Sequence, residues 1–147
     1  MEQKMHTPEG VRDIYNRECE TKLAIQKKLS TVLHLYGYQD IQTPTFEYDD
    51  VFRKEIGSTS TKELYRFFDR EGNILTLRPD ITPSVARAAA TLFETEDFPI
   101  RLCYAGNTFT NHTSYQGRLK ENTQLGAELI GLDSIEADAE MLAMVVD

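Results

Sequence analysis

The sequence predicts an α+β fold, a mainly antiparallel sheet flanked by helices, on three observations. Strand patterns turn back on themselves twice: residues 65–69 and 74–78 flank Arg70-Glu71-Gly72-Asn73, and a stretch opening at Leu102 returns through a polar loop as residues 123–130. Helical periodicity marks the start, the middle and the end of the chain. The regular alternation of strand and crossover helix that builds parallel sheets is missing. At 147 residues there is chain for one domain that buries roughly two thirds of its unfolded surface, and too little for two ordinary ones.

Taken in order, Thr7-Pro8-Glu9-Gly10 reads as a turn leading into an entry segment, 11–15. Over 17–36, Leu23, Ile25, Leu29, Val32, Leu33 and Tyr36 recur at three and four, Glu18 stands four before Lys22, and Gly37 supplies a stop. That pattern predicts a helix. Residues 38–43 alternate as a strand that Pro44 ends or confines to a sheet edge. Val51, Phe52 and Ile56 give 49–56 a short helical spacing closed by Gly57, and 58–61 is a small polar loop. After the 65–78 hairpin, Pro79 stops the strand. Thr82 is placed to cap, and Pro83 to open, an Ala-rich helix running to Phe93. Pro99 starts the long central hairpin, 102–131, whose polar loop with Gly106 and Gly117 is long enough to fold over a ligand. Asp133 or Ser134 can cap a last helix in which Ile135, Ala139, Leu142 and Val146 repeat helically. Its apolar end, 141–146, implies a helix packed on something else or a chain cut short.

Composition narrows the function classes. A net charge of −8, with 16 Lys and Arg dispersed among 24 acids, disfavours nucleic acid as a partner, because affinity for a phosphate backbone rests on clustered cations. No apolar run approaches the roughly 20 residues that span a bilayer, and the start, MEQKMHTPEG, lacks the apolar segment of a secretory signal. A cytoplasmic location is the expectation. Cys19 and Cys103 form neither a metal-spacing pair nor a redox motif and read as reduced, buried small hydrophobes. His6, His34 and His112 lie far apart without ligand spacing, so the expectation is no metal and no cofactor. Nucleophile elbow, phosphate loop and dinucleotide fingerprint are absent.

Two sets of polar residues stand out. In Leu75-Thr76-Leu77-Arg78-Pro79-Asp80-Ile81-Thr82-Pro83, a carboxylate and a hydroxyl follow a strand end between two prolines, a rigid placement suited to a small polar ligand. The competing reading is that Asp80 and Thr82 only cap the next helix. Gln124 and Glu128 fall an even interval apart, on one face of the returning strand, while Leu125, Ala127 and Leu129 point into a core. They line a pocket or, by default, form a solvated outer face.

The order Gly37-Tyr38 with a strand ending at Pro44, then Leu75-Thr76-Leu77-Arg78-Pro79-Asp80, then Gln124-Leu125-Gly126-Ala127-Glu128 resembles the class II aminoacyl-tRNA synthetase core of histidyl-tRNA synthetases, over nearly the whole chain. Thr7-Pro8-Glu9-Gly10-Val11-Arg12-Asp13, Arg78-Pro79-Asp80-Ile81-Thr82-Pro83-Ser84 and Tyr115-Gln116-Gly117-Arg118-Leu119-Lys120 resemble the wording of the non-catalytic paralogues, the regulatory subunits of ATP phosphoribosyltransferase in histidine biosynthesis. The resemblance makes residues 1–147 the N-terminal part of a class II synthetase-like domain, with the third motif and the histidine-specific segments outside it. The set here is then at most half of the family's pocket.

In such synthetases the second motif places an arginine immediately after a phenylalanine, on the ATP α-phosphate and the amino-acid carboxylate, and a glutamate two residues later. Here Phe109 is followed by Thr110, and His112 holds the glutamate position. Threonine supplies neither the permanent charge nor the planar fork of a guanidinium. Losing it costs several kcal/mol of transition-state stabilisation, on the order of what one electrostatic donor contributes. The resemblance therefore implies no catalytic residue and no adenylation. It implies a histidine-binding set of Asp80 for the α-ammonium, with Thr82, Gln124 and Glu128 lining the pocket, and Arg118 as a candidate loop contact. It further implies partnership with the short-form catalytic subunit of ATP phosphoribosyltransferase, self-association through the 17–36 helix and sensing of free histidine. A divergent histidyl-tRNA synthetase and a ligand-free dimerisation module are the alternatives.

Overall fold

The computed structural model describes residues 5–53, 61–95, 98–113 and 117–146. The 20-residue helix α1 (Asn16–Leu35) is followed by β1 (Gln39–Asp40), β2 (Phe46–Tyr48), a short α2 (Asp50–Arg53), a 3-10 turn at Thr61–Glu63, β3 (Arg66–Phe68) and β4 (Ile74–Leu77). Then come α3 (Thr82–Leu92), β5 (Ile100–Phe109), β6 (Glu121–Ile130) and α4 (Ile135–Val146). The strands form two three-stranded sheets, ordered β1-β5-β6 and β2-β4-β3. Every pairing among the described residues is antiparallel except β1 with β5.

The smaller sheet contains the expected 65–78 hairpin. Its turn is held by Asp69, whose Oδ1 accepts the backbone N–H groups of Glu71 (3.0 Å) and Asn73 (2.8 Å), with Gly72 at a positive φ of 87°. Strand β2, which the sequence pattern does not mark, adds to β4 on its other edge, and Phe46 meets Phe67 edge to face at 5.5 Å.

The larger sheet is dominated by the β5–β6 ladder, ten paired residues from Ile100↔Ile130 to Phe109↔Glu121. Gly106 lies inside β5 rather than in the loop, directly opposite Gln124. The strand expected over 38–43 shortens to Gln39–Asp40. Ile41 still donates its N–H to the Cys103 carbonyl (2.9 Å), but beyond it the Thr43 and Pro44 carbonyls accept the Arg78 guanidinium instead of a neighbouring strand. Helix α3 packs on one face of this sheet, where Ile81 and Val85 meet Ile100, Leu102 and Tyr104. On the other face lie the last turn of α1 and helix α4, around Leu33, Tyr38, Cys103 and Met144, with Leu125, Ala127 and Leu129 packed against them.

Both flanking helices depart from the expected faces. In α1 only the C-terminal end of the apolar stripe reaches the core; Leu23, Ile25 and Leu29 are about half exposed. Glu18 is hydrogen-bonded to Arg12 of the entry segment, and Lys22, four residues on, adds a weaker charge interaction. In α4 the stripe of Ile135, Leu142 and Val146 faces outward, and Ala137, Met141 and Met144 pack inward. Polar contacts set that rotation: Arg101 clasps both oxygens of Glu140 at 2.9 Å, and the Tyr38 hydroxyl reaches Met141 Sδ at 2.9 Å. Ser134 is the cap, accepting the Ala137 N–H at 3.2 Å. The expected residues 54–57 of the second helix, the 58–60 part of the following loop, and the Tyr115-Gln116 portion of the hairpin loop lie outside the described residues.

Candidate functional site

Strand β6 presents Gln124 and Glu128 on one face because side chains alternate along a strand. The β5–β6 register places Gly106 opposite Gln124 and Tyr104 opposite Gly126. The chain after β4 passes over that face, delivering Asp80 and then Thr82 at the start of α3. The four residues proposed from separate stretches thus converge, and all four are half-buried rather than part of a solvated surface.

Their hydrogen bonds interlock. Gln124 donates Nε2–H to Asp80 Oδ1 (2.9 Å) and accepts the Ile81 backbone N–H at Oε1 (3.1 Å), which fixes the amide's orientation. Asp80 Oδ1 also accepts the Thr82 N–H (3.1 Å). Thr82 Oγ1–H donates to Glu128 Oε1 (2.8 Å), the Tyr104 hydroxyl donates to the same oxygen (3.1 Å), and the two hydroxyl oxygens are 3.1 Å apart. Asp80 therefore does support the start of α3. Thr82 does not cap it: the residue is already helical, Ile81 occupies the cap position, and the hydroxyl is committed to Glu128.

Tyr104 is a member that the sequence pattern does not single out. Its ring lies over Gly126, where a Cβ would come within 2.6 Å of the hydroxyl and 2.7 Å of the ring. A glycine opposite a strand tyrosine is the one sequence-level trace of this. Burial pushes the Tyr104 hydroxyl up to about 12, and the Glu128 charge adds to that, so the group is a neutral donor at physiological pH.

Electrostatically the cluster is one-sided. Asp80 and Glu128 are satisfied only by neutral donors, and among the described residues no lysine or arginine forms an ion pair with either. The nearby cation, Arg78, is turned away. Its guanidinium covers Gly106 and donates to the carbonyls of Asn107 (2.8 Å), Thr43 (2.9 Å) and Pro44 (3.3 Å), tying the chain after β1 to β5. Arg78, Ile81 and Tyr104 also line a cavity of about 220 Å³ with Ile41, Thr43 and Thr45. Two half-buried carboxylates with oriented hydroxyl and amide partners can receive an ammonium or a protonated or neutral N–H donor; they offer nothing to a phosphate.

The other candidates sit apart from this cluster. Arg118 is exposed and makes no hydrogen bond or ion pair among the described residues. Thr110 continues the hairpin through its backbone, donating to the Lys120 carbonyl at 2.9 Å, and His112 Nε2 faces the Leu119 carbonyl at 3.1 Å. Neither supplies a guanidinium or a carboxylate toward the tip. His34 is not the isolated residue expected from sequence: it contacts Asp40, which in turn contacts Cys103.

Comparison with known proteins follows the same lines. The family described as Histidyl-tRNA synthetase matches residues 10–147. An ATP phosphoribosyltransferase regulatory subunit from Clostridium novyi is 41% identical over 144 residues, covering 98% of this chain and 34% of that protein. The crystal structure of an ATP phosphoribosyltransferase regulatory subunit/histidyl-tRNA synthetase from Bacillus halodurans superimposes with a TM-score of 0.88 at 33% identity, covering 99% of this chain and 38% of that one. The apo histidyl-tRNA synthetase of S. aureus gives 0.80 at 31% identity, covering 97% and 33%. The chain thus spans about a third of the length of the curated relative it matches.

Proposed function

This chain belongs to the histidyl-tRNA synthetase family, and from that premise we propose that it is the N-terminal part of a class II synthetase-like domain in a non-catalytic regulatory subunit of ATP phosphoribosyltransferase. Its fold is that of the class II catalytic domain. Its role is to bind the short-form catalytic subunit, support phosphoribosyl transfer to ATP and convey feedback by histidine in the cytoplasm. No helix among the described residues is long and apolar enough to cross a membrane.

The observation that carries the reading is the contrast along one hairpin and the 80–82 segment packed on it. At its base, Asp80, Thr82, Gln124 and Glu128 form a connected acid-and-amide set with no internal cation, the complement of a zwitterion's ammonium or an imidazole N–H. Toward its tip, Thr110 and His112 stand where amino-acid activation needs a guanidinium and a carboxylate. Binding is retained and phosphate chemistry is not. Self-association through α1 is supported by Leu23, Ile25 and Leu29, which are about half exposed.

Mixing the full-length protein with the short-form catalytic subunit should form a complex and raise transfer from phosphoribosyl pyrophosphate to ATP; no complex and no stimulation would overturn the proposal. A divergent histidyl-tRNA synthetase is the second reading, favoured by the intact Asp80–Gln124 and Thr82–Glu128 contacts. It predicts histidine-dependent exchange of pyrophosphate into ATP, and the regulatory reading predicts none.

A further inference from the structure

We propose that His34, Asp40 and Cys103 form a surface site for a single divalent transition-metal ion of the zinc class, with solvent completing the coordination. The three lie on different elements and show no ligand spacing in sequence, yet one atom of each comes within 4.8 Å of the other two.

The fold builds this meeting from its backbone. Helix α1 ends with Gly37 at a positive φ of 82°, and the Tyr38 N–H returns to the Leu33 carbonyl (3.1 Å) while the Gly37 N–H returns to His34 (3.0 Å). That helix-ending turn sends β1 back beneath the last turn of α1, with Asp40 under His34. In the parallel β1–β5 pair, Asp40 stands directly opposite Cys103. The carboxylate bridges the other two: Oδ2 lies 3.0 Å from His34 Nε2, and Oδ1 accepts the Cys103 S–H at 3.5 Å.

Burial assigns different parts to the donors. Cys103 is 1% exposed and fixed in the middle of a ten-residue ladder, walled by Leu33, Tyr38 and Met144. His34 and Asp40 are exposed on the solvent side and free to re-aim. Tetrahedral zinc, with bonds of about 2.0–2.3 Å, sets its donors about 3.3–3.8 Å apart. His34 Nε2 and Cys103 Sγ already lie 3.0 and 3.5 Å from Asp40, on its two different oxygens, and one donor atom of each residue falls within 4.8 Å of the others, so closing to the metal's spacing moves only the exposed side chains of His34 and Asp40. On binding, the thiol proton leaves to solvent as the sulfur–metal bond forms; the Nε2–H that His34 donates to the carboxylate is given up and the ring carries its proton on Nδ1 instead, which frees the Nε2 lone pair for the metal. A thiolate and an imidazole select zinc, cobalt or copper over magnesium and calcium, which require oxygen.

Titrating the full chain with Co²⁺ tests this. One equivalent should bind with a thiolate-to-cobalt charge-transfer band and tetrahedral visible absorption, unaffected by excess Mg²⁺ and displaced by Zn²⁺. The band should vanish in Cys103→Ser and persist in Cys19→Ser. Because Cys103 is in the core, His34→Ala and Asp40→Asn, both at exposed positions, provide the decisive arm if the serine variant does not fold; each should weaken binding at least about tenfold. No stoichiometric binding, a band that survives Cys103→Ser, or affinity unchanged in both His34→Ala and Asp40→Asn would overturn the proposal.

Discussion

Two carboxylate centres in this domain are both withdrawn from water and are completed in opposite ways. Asp49, at the junction of β2 and α2, is 3% exposed; it accepts the Thr76 hydroxyl and Arg66 Nε at 2.6 Å each and pairs with Arg53 on its other oxygen. Burial alone would raise its pKa, but the hydrogen bonds from Thr76 and Arg66 and the guanidinium charges outweigh that and hold the carboxyl below its usual range. Among the described residues, Asp80 and Glu128 meet only two hydroxyls, an amide and one backbone N–H. A carboxylate neutralised from within is a structural tie, whereas one held in place by neutral donors keeps its charge available to an incoming cation. The comparison separates architecture from function more sharply than burial does.

The largest effect should come from breaking the neutralised centre. Asp49→Asn leaves two guanidinium groups facing an amide and should lower unfolding free energy by about 3 kcal/mol, read from urea denaturation at neutral pH. The sign with pH follows from the depressed carboxyl: its contribution is complete above the unfolded pKa of about 3.9 and disappears as pH falls through the folded value. The variant should therefore lose less stability on acidification than the parent. A loss under about 0.5 kcal/mol would mean that Asp49 is no more structural than an exposed carboxylate.

At the open centre the ranking should invert. Glu128→Gln and Asp80→Asn keep an oxygen for the same hydroxyl and N–H donors, so stability should change by under about 1 kcal/mol. Histidine binding by the full-length protein should weaken about 10- to 100-fold in calorimetry, the range for losing one charged hydrogen bond. Equal losses of stability at Asp49 and Glu128, with binding unchanged, would erase the distinction. A mixed effect, on stability and site together, should follow Gly126→Ala. The added methyl meets the Tyr104 ring, not a forbidden backbone angle, and should cost about 2 kcal/mol of stability while displacing the hydroxyl from Glu128.

How much of this was legible from sequence depended on the range of the contacts. Helix α1, the 65–78 hairpin and the central hairpin were readable because periodicity and turn chemistry are local. Gln124 and Glu128 sharing a face, with Leu125, Ala127 and Leu129 inward, followed from strand alternation alone. The outward stripe of α4 was not readable, because its rotation is set by Arg101 and Tyr38, which lie more than 30 residues away. Tyr104 joined the site through the β5–β6 register, which the length of chain between the two strands leaves open. His34, Asp40 and Cys103 meet only because Gly37 returns the chain and β1 pairs with β5 in parallel.

The finest test of the comparison is Tyr104→Phe, which removes one neutral donor from Glu128 while leaving both site carboxylates and the ring's packing in place. At neutral pH the loss should be about 1 kcal/mol or less, because Thr82 still donates to the same oxygen. The diagnostic difference lies at high pH. The folded Tyr104 titrates near 12, whereas an unfolded tyrosine titrates near 10, so the folded state retains the proton longer. That contribution is complete below pH 10 and disappears as pH rises towards 12. At pH 11 the parent should have lost about 1.4 kcal/mol through this group, and the phenylalanine variant none of it. Urea midpoints at pH 8 and pH 11 measure the difference between the two proteins. A gap that does not narrow with pH would mean that Tyr104 ionises freely, and that Glu128 is held by Thr82 alone.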